Sequence, residues 1–379
     1  MMEALPRTAA AIADGFSHRL HIGVQLAVVR RGRVLCDFAL GDARPADGGA
    51  PAVAMEPATL MLWLSSSKPV AAVATMQLRE RGLLQLEDRV ERHLPEFAQN
   101  GKQAVTISHL LTHTCGFRFI DLGDATTPWE EIIRRICVAP LERGWVPGEK
   151  AGYHPYTSWY VLGEIIRRLS GVPFSRYVRE SIFLPLGMDD CWIGMSANDR
   201  DAYGSRLGLM ANTERRGSDA EPTLAPHTWS TPAGQIACAP GGNGHGPMRQ
   251  LVRFYQMLLG EGRLDGIELL KAESVREMIS RRRVGMFDET FKHTLDWGWG
   301  IIPNNRRYGT TIPYGYGRHA GEDAFGHSGS QSSVGFADPQ NDLAVALVFN
   351  GTCGEARHQK RIRSVLEALY EDLGLTRDD

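Results

Sequence analysis

β-Strand patterns lie at both ends of the chain, and helical patterns fill the long stretch between them. Near the start, two runs rich in β-forming residues, at 23–30 and 33–40, are separated by Arg31-Gly32, which is a hairpin signal. Near the end, residues 333–338 and 343–350 form a second hairpin pattern around a Pro-Gln-Asn-Asp turn. Because strands must share a sheet to bury their apolar faces, this arrangement predicts one antiparallel sheet built from both termini. Helices predicted at residues 3–20 and 355–373 would flank it.

The middle of the chain predicts an inserted, mainly helical lobe. Its helical patterns span residues 106–113, 128–138, 156–170, 174–183, 248–260 and 272–282, with Gly/Pro-rich loops between them. The predicted fold class is therefore α/β, an α+β sandwich with a helical insertion. We expect residues 1–85 and 291–379 to form the sandwich and residues 86–290 the helical lobe, as one continuous structural unit. A cleft is expected at the seam between them.

The charge and cysteine content argue against several classes of partner. The 42 Lys and Arg nearly balance the 44 Asp and Glu, and no basic stripe predicts a nucleic-acid partner. The run Arg281-Arg282-Arg283 is predicted to be a solvated helix end. No run of 18 apolar residues predicts a membrane span, and the first residues lack secretory-signal features, so we expect a cytoplasmic location. Six cysteines without paired spacing predict buried thiols rather than disulfides or a zinc site.

The first chemical motif places a lysine three residues after a serine at the start of a helix. The helix predicted over residues 65–81 is apolar on nearly every face and begins with Ser65-Ser66-Ser67-Lys68. Residues three apart share one helical face, so Lys68 and Ser65 are expected to be neighbours. A serine hydroxyl needs a base to become a nucleophile, and burial can lower a lysine pKa far enough to provide one. The spacing alone is a weak signal, because a capping serine and a surface lysine share it.

The residues around this motif resemble a known family. Residues 64–70, 81–88 and 106–116 resemble the first motif block and the following segment of class C β-lactamases and family VIII carboxylesterases. His109 and His113 could instead suggest a zinc helix, but Leu110 stands where a metalloprotease carries Glu. The resemblance implies a β-lactamase-like fold with Ser65 as the nucleophile and Lys68 as its activator. It implies no metal and no organic cofactor.

A second motif contains a tyrosine. It reads Gly152-Tyr153-His154-Pro155-Tyr156 and resembles the tyrosine block of the same family. The resemblance implies that a tyrosinate at Tyr153, held between Ser65 and Lys68, accepts the serine proton and returns it to the leaving alcohol. The alternative is a tyrosine that serves only in packing. Class C β-lactamases carry Asn where this chain has Pro155, which has no side-chain donor. This departure favours an esterase over a lactamase.

The third motif precedes the terminal hairpin. It reads Gly326-His327-Ser328-Gly329-Ser330 and resembles the Lys-Thr-Gly strand of the family, with His327 in place of Lys. The resemblance implies an oxyanion hole made by the backbone N–H groups of Ser65 and Ser330. It also implies substrate-binding roles for His154, His327 and Gly329. His327 is expected to donate to the substrate or to stabilise the tyrosinate.

The third motif also resembles the nucleophile elbow of α/β-hydrolases. That elbow needs a strand before the serine, a helix after it, and an acid and a histidine further along the chain. Here strands are predicted to follow, His358 is the one histidine downstream, and Ser330 replaces the final glycine. Ser328 is therefore not expected to be the nucleophile.

Together the motifs predict a serine hydrolase that cleaves a small-molecule carboxylic ester through an acyl-serine intermediate. The alternatives are a β-lactamase or D-stereospecific peptidase, an acyltransferase that uses the same acyl-enzyme, and a non-catalytic binding protein on this fold. A catalytically inactive protein on this fold would be expected to lack Ser65, Lys68 or Tyr153, and the chain has all three.

Overall fold

The computed structural model describes residues 4–215 and 221–377. Its helices are α1 Pro6–Ser17, α2 Lys68–Glu80, α3 Ile107–Thr112, α4 Trp129–Val138, α5 Thr157–Ser170, α6 Phe174–Val178, α7 Ala197–Tyr203, α8 Pro232–Ile236, α9 Met248–Leu259, α10 Ala272–Ile279 and α11 Glu355–Asp372. The helices predicted from the sequence are present, and the one predicted over residues 174–183 continues past α6 as a π-helical turn, Arg179–Phe183. Position 3, where the first helix was expected to begin, lies outside the described residues.

The strands fall into one large sheet and several small ones. In chain order they are β1 Gly23–Arg30, β2 Arg33–Arg44, β3 Val53–Ala54, β4 Met61–Leu64, β5 Trp192–Ile193, β6 Ala211–Asn212, β7 Gly244–Gly246, β8 Arg263–Leu264, β9 Ile267–Glu268, β10 Phe287–Asp288, β11 His293–Thr294, β12 Ile302–Pro303, β13 Phe325–Ser328, β14 Ser333–Asp338, β15 Leu343–Phe349 and β16 Gly351–Thr352. The large sheet has the order β12-β13-β14-β15-β1-β2-β3.

The large sheet joins strands from both ends of the chain, which confirms the prediction. Its strand pairs are antiparallel, and the two ends meet where β1 pairs with β15, with Val28 opposite Val345. The β1–β2 hairpin turns through Arg31 and Gly32, whose φ angles are 50° and 69°. Both central residues of a type I′ turn need positive φ, so the glycine makes this tight connection possible.

Helices cover both faces of this sheet. Side chains alternate along a strand, so Val24, Leu26 and Val28 of β1 pack with α1 and α11, whereas Ala27 and Val29 pack in the larger core that contains α9. Each fully buried Val or Leu contributes roughly 1.5–3 kcal/mol to stability. Because both faces are covered, β1 is buried at seven of its eight positions, and its residues are mostly apolar rather than alternating.

Helix α9 lies on the sheet, although its residues fall within the range predicted for the helical lobe. It packs against β1, β14 and β15. Helix α5 packs on α3, α4 and α6 and on α2, which is buried along most of its length. The division of the chain at residues 85 and 291 stays a prediction. Within the described ranges, no helix is long and apolar enough to cross a bilayer.

A small three-stranded sheet supports the start of α2. Its order is β4-β7-β5, and Leu64 at the end of β4 pairs with Gly244 in β7. A Cβ on Gly244 would lie 2.5 Å from the Trp63 ring and 2.6 Å from Ser67 Oγ, so the two strands can approach because this residue is glycine. The close pairing holds the end of β4 directly before the first motif.

Candidate active site

Ser65 stands at a strained turn between a strand and a helix. Strand β4 ends at Leu64, whose φ of 50° and ψ of −131° are unfavourable for a residue with a Cβ. Ser65–Ser67 then forms a 3₁₀-helical turn, and α2 begins at Lys68. Side chains three apart are eclipsed in a 3₁₀-helix, so those of Ser65 and Lys68 are stacked along its axis. Of the four motif residues, Ser65 alone is not fully buried.

The other two serines of the motif hold this turn in place. Ser66 Oγ donates to His327 O at 3.1 Å and lies 2.9 Å from Ser333 Oγ, so it ties the turn to β13 and β14. Ser67 Oγ donates to Leu64 O at 2.6 Å and accepts from Gly244 N at 2.8 Å. These roles were not predicted, because three adjacent serines look alike in the sequence.

Lys68 is fully buried, and its amine is placed to act as a base. Burial lowers its pKa well below the ordinary lysine value, which favours the neutral amine. Nζ lies 2.8 Å from Pro155 O, 2.6 Å from Gly241 O and 2.9 Å from Ser65 Oγ. A neutral amine has two N–H groups and one lone pair. Since the two carbonyl oxygens can only accept, the lone pair remains for the Ser65 hydroxyl.

Tyr153 contacts the same serine from the other side. Its phenol donates to Ser65 Oγ at 2.7 Å. Burial raises the pKa of Tyr153, and the bond to Ser65 offsets only part of this effect, so the resting side chain is the neutral phenol. The expected resting tyrosinate is therefore not supported. The arrangement instead provides a proton donor in Tyr153 and a base in Lys68.

A buried ion pair positions the backbone of Tyr153. Asp288 Oδ1 accepts from Tyr153 N at 3.0 Å, and Thr290 Oγ1 donates to Tyr153 O at 3.0 Å. The other Asp288 oxygen pairs with Arg283 at 3.0 Å, and both side chains are buried. Helix α10 ends at Ile279, so the expectation that Arg283 belongs to a solvated helix end was wrong. A sequence separation of 135 residues conceals the link between Asp288 and Tyr153.

His154 does not reach the cleft, so its predicted substrate-binding role does not fit the structure. It is fully buried, and its Nε2 accepts from the backbone N–H groups of Gly116 and Phe117, both at 3.2 Å. Its own backbone N–H donates to His113 Nδ1 at 3.0 Å. Burial lowers the pKa of His154 to about 3, so it remains neutral and can accept these bonds. His154 holds the turn after α3.

Gly329 allows the third motif to approach the Ser65 turn. A Cβ at this position would lie 2.3 Å from Trp63 O and 2.4 Å from Ser333 Oγ, so a larger residue would push the strands apart. Gly329 does not line the cavity, but Ser330 does, together with Ser65. Within residues 4–215 and 221–377, neither the Ser65 nor the Ser330 backbone N–H donates to a protein acceptor. Both amides are therefore available to a substrate oxygen.

His327 lines the cavity as a neutral ring. Burial lowers its pKa to about 3. Its Nδ1 lies 2.9 Å from Ser328 O, and because a carbonyl can only accept, Nδ1 carries the proton. Nε2 is then an acceptor, and it has no partner among the described residues. The expectation that His327 donates to the substrate is corrected, since a donor would need the other tautomer or the charged ring.

Ser328 lacks the setting of a nucleophile elbow. It ends β13, and a short turn leads to β14 rather than to a helix. Its hydroxyl is buried without a hydrogen-bond partner in the described chain. The passage from strand to helix that an elbow requires occurs instead at Ser65.

These groups surround a cavity of about 250 Å³. Its lining is aromatic, aliphatic or uncharged polar: Leu64, Ser65, Tyr153, Pro155, Tyr156, His227, Phe291, Ile302, Tyr314, His327, Ser328 and Ser330. No Lys, Arg, Asp or Glu is in this set, and Lys68 lies beneath it, out of solvent. The described residues contain no group of three or more His, Cys, Asp or Glu side chains that could hold a metal ion.

The fold and this constellation define a serine hydrolase with the β-lactamase-like fold. A family model described as Beta-lactamase matches residues 9–370, and the chain belongs to that family. The predicted fold and family resemblance are thereby confirmed.

Similar proteins include esterases and penicillin-binding-protein homologues. The chain is 26% identical over 310 residues to the esterase/beta-lactamase LipL of Mycobacterium tuberculosis, with 76% of this chain and 68% of that protein covered. It is 33% identical over 207 residues to esterase EstB of Burkholderia gladioli, covering 49% of this chain and 50% of that protein. The match therefore spans one half to two thirds of these two relatives.

Solved structures extend the likeness over nearly the whole chain. A penicillin-binding protein homolog from Caulobacter crescentus superposes with a TM-score of 0.77 at 27% identity, with 97% of each chain covered. A family VIII carboxylesterase superposes with a TM-score of 0.75 at 26% identity, also with 97% of each chain covered. These neighbours differ in their named activities, so the likeness does not identify the substrate.

Proposed function

We propose that this protein hydrolyses small, uncharged carboxylic esters through an acyl-serine intermediate on Ser65. The observation that carries the proposal is the contact of Ser65 Oγ with Lys68 Nζ at 2.9 Å and Tyr153 OH at 2.7 Å, beside an uncharged cavity. A serine between a neutral amine and a neutral phenol has a base to activate it and an acid for the leaving group. The esterases among its relatives support the same conclusion.

Acylation uses both neighbours of Ser65. The neutral amine of Lys68 takes the Ser65 proton as Oγ attacks the ester carbonyl, and the N–H groups of Ser65 and Ser330 stabilise the oxyanion. Tyr153 gives its proton to the departing alkoxide and becomes a phenolate. The new ammonium of Lys68 stabilises that phenolate, because Nζ lies only 4.9 Å from the centre of the tyrosine ring.

Deacylation restores both protons. The Tyr153 phenolate accepts a proton from water as the water oxygen attacks the acyl carbonyl. The ester bond to Ser65 then breaks, and Oγ takes the proton back from the Lys68 ammonium. A tyrosinate thus forms only while Lys68 is charged, which agrees with the raised pKa of Tyr153 in the resting site.

The cavity disfavours anionic substrates. Penicillins, cephalosporins and peptide C-termini carry a carboxylate, which a cationic side chain would normally bind. Here the cavity wall has no cation, and His327 is neutral with an unshared acceptor nitrogen. Pro155 also offers no side-chain amide at the position where the resemblance to lactamases would require one.

We expect p-nitrophenyl butyrate to be hydrolysed at least about a hundredfold more efficiently than nitrocefin, judged by kcat/KM. The physical reason is the unpaired carboxylate that a bound cephalosporin would bury. Pro155→Asn preserves the backbone carbonyl that Lys68 contacts and provides a side-chain amide. It should therefore reduce the ratio of kcat/KM for p-nitrophenyl butyrate to kcat/KM for nitrocefin. Comparable kcat/KM values for the two substrates in the unmodified protein would contradict the proposal.

Replacing Gly329 with alanine should lower kcat for p-nitrophenyl butyrate by about a hundredfold. The new Cβ would collide with Trp63 O and displace the adjacent Ser330 amide from the oxyanion position. Steady-state kinetics measure the loss, and thermal unfolding checks that the variant is folded. A folded variant with kcat close to that of the parent would show that the Ser330 amide is not an oxyanion donor.

A further inference from the structure

Tyr314 adopts an unusual backbone conformation at the edge of the cavity. It lies in the loop between β12 and β13, and its ring lines the cavity. Its φ is 59°, in the left-handed region that a bulky aromatic residue rarely occupies. A strained residue persists only where its surroundings hold it, and such residues concentrate at functional sites.

Contacts with α11 hold Tyr314 in this conformation. Its backbone N–H donates to Gln359 Oε1 at 2.9 Å, and its phenol donates to Glu355 Oε2 at 2.8 Å. Burial and the Glu355 carboxylate raise the pKa of Tyr314, so the phenol keeps the proton that it donates. Both ends of the residue are therefore fixed to one helix, which keeps the ring against the cavity.

The neighbours of Tyr314 indicate which end of the substrate it faces. Its ring lies 5.7 Å from Phe291, and Phe291 lies 4.7 Å from Tyr153, measured between ring centres. In the proposed mechanism Tyr153 protonates the leaving alcohol, so the alcohol occupies the side of the cavity near Tyr153. Phe291 and Tyr314 form the continuation of that side.

We propose that Tyr314 closes the alcohol end of the cavity and makes the enzyme discriminate against esters of long, flexible alcohols. The inference rests on the proposed ester hydrolysis. It adds that the enzyme selects its substrates by the alcohol part of the ester. Tyr314 lines the cavity that contains Ser65, so an alcohol chain that extends past Phe291 meets its ring. Each methylene that collides with a fixed ring costs about tenfold or more in kcat/KM.

Two series of esters test this inference. In the first, ethyl, butyl, hexyl and octyl butyrate vary only the alcohol; in the second, ethyl acetate, butyrate, hexanoate and octanoate vary only the acyl group. Tyr314→Ala should raise the octyl-to-ethyl ratio of kcat/KM by about tenfold or more and leave the acyl series within about twofold. Tyr314→Phe keeps the ring and the backbone bond to Gln359 but loses the bond to Glu355, so it should shift the alcohol series in the same direction as Tyr314→Ala and by a smaller factor. Tyr314→Gly, which adopts positive φ without strain, should behave as Tyr314→Ala and provides a second variant if the latter is unstable.

Three results would overturn the inference. One is an unchanged alcohol series in folded Tyr314→Ala and Tyr314→Gly, and another is a shift confined to the acyl series. The third is a parent protein that already prefers octyl butyrate. A parent protein that hydrolyses neither series would refute the proposed esterase activity itself, which separates the failure of one proposal from the failure of the other.

Discussion

Ser65→Ala should lower kcat/KM for p-nitrophenyl butyrate by about 10³-fold or more. The proposed step has no second nucleophile, because Ser66 and Ser67 are buried and use their hydroxyls to hold the turn. The variant should remain folded, since the hydrogen bonds of Ser65 Oγ among the described residues are those with Lys68 and Tyr153. Steady-state kinetics and thermal unfolding measure the two expectations separately.

Ser328→Ala is the matched control for this experiment. Ser328 lines the same cavity and is the serine that the nucleophile-elbow hypothesis would select. Its hydroxyl has no partner among the described residues, so its loss should retain substantial activity. An inactive Ser328→Ala beside an active Ser65→Ala would reverse the assignment. Mass spectrometry after reaction with a fluorophosphonate should locate the adduct on Ser65.

Lys68→Met and Tyr153→Phe should each reduce kcat by about 10²–10⁴-fold. Methionine approximates the length of Lys68 without a basic nitrogen, and phenylalanine preserves the ring of Tyr153 without its proton. The double variant should be little worse than the more severe single variant, because the two groups serve one proton-transfer sequence around Ser65. Losses that multiply in the double variant would show that the two residues act independently.

The pH dependence of kcat/KM distinguishes the base from the acid. Lys68 must be neutral to accept the Ser65 proton, so activity should fall as pH decreases through the pKa of Lys68, which burial has lowered well below its ordinary value. This fall is the acidic limb of the pH profile. Tyr153→Phe should be slow yet keep the acidic limb, whereas Lys68→Met should lose it. If Tyr153→Phe removed the acidic limb, Tyr153 rather than Lys68 would be the base. The hypothesis of a resting tyrosinate would then be supported.

The sequence determined those features that depend on neighbours along the chain. Alternating or continuous apolar runs and the Arg31-Gly32 turn predict the strands, because side-chain direction and turn geometry are local properties. The spacing of Ser65 and Lys68 places them one turn apart in any helical environment. The family resemblance then indicated the order of the three motifs, and the structure brings Ser65, Lys68, Tyr153 and Ser330 together as expected.

Only the tertiary structure decided burial, protonation and hydrogen-bond direction. Lys68 is held by carbonyl groups 87 and 173 residues away, and its lowered pKa comes from burial among such distant segments. His154 follows Tyr153 directly in the chain yet binds the turn after α3, so adjacency did not predict its role. A pKa or a hydrogen-bond acceptor depends on all the groups packed around an atom, and most of those groups are far away in the sequence.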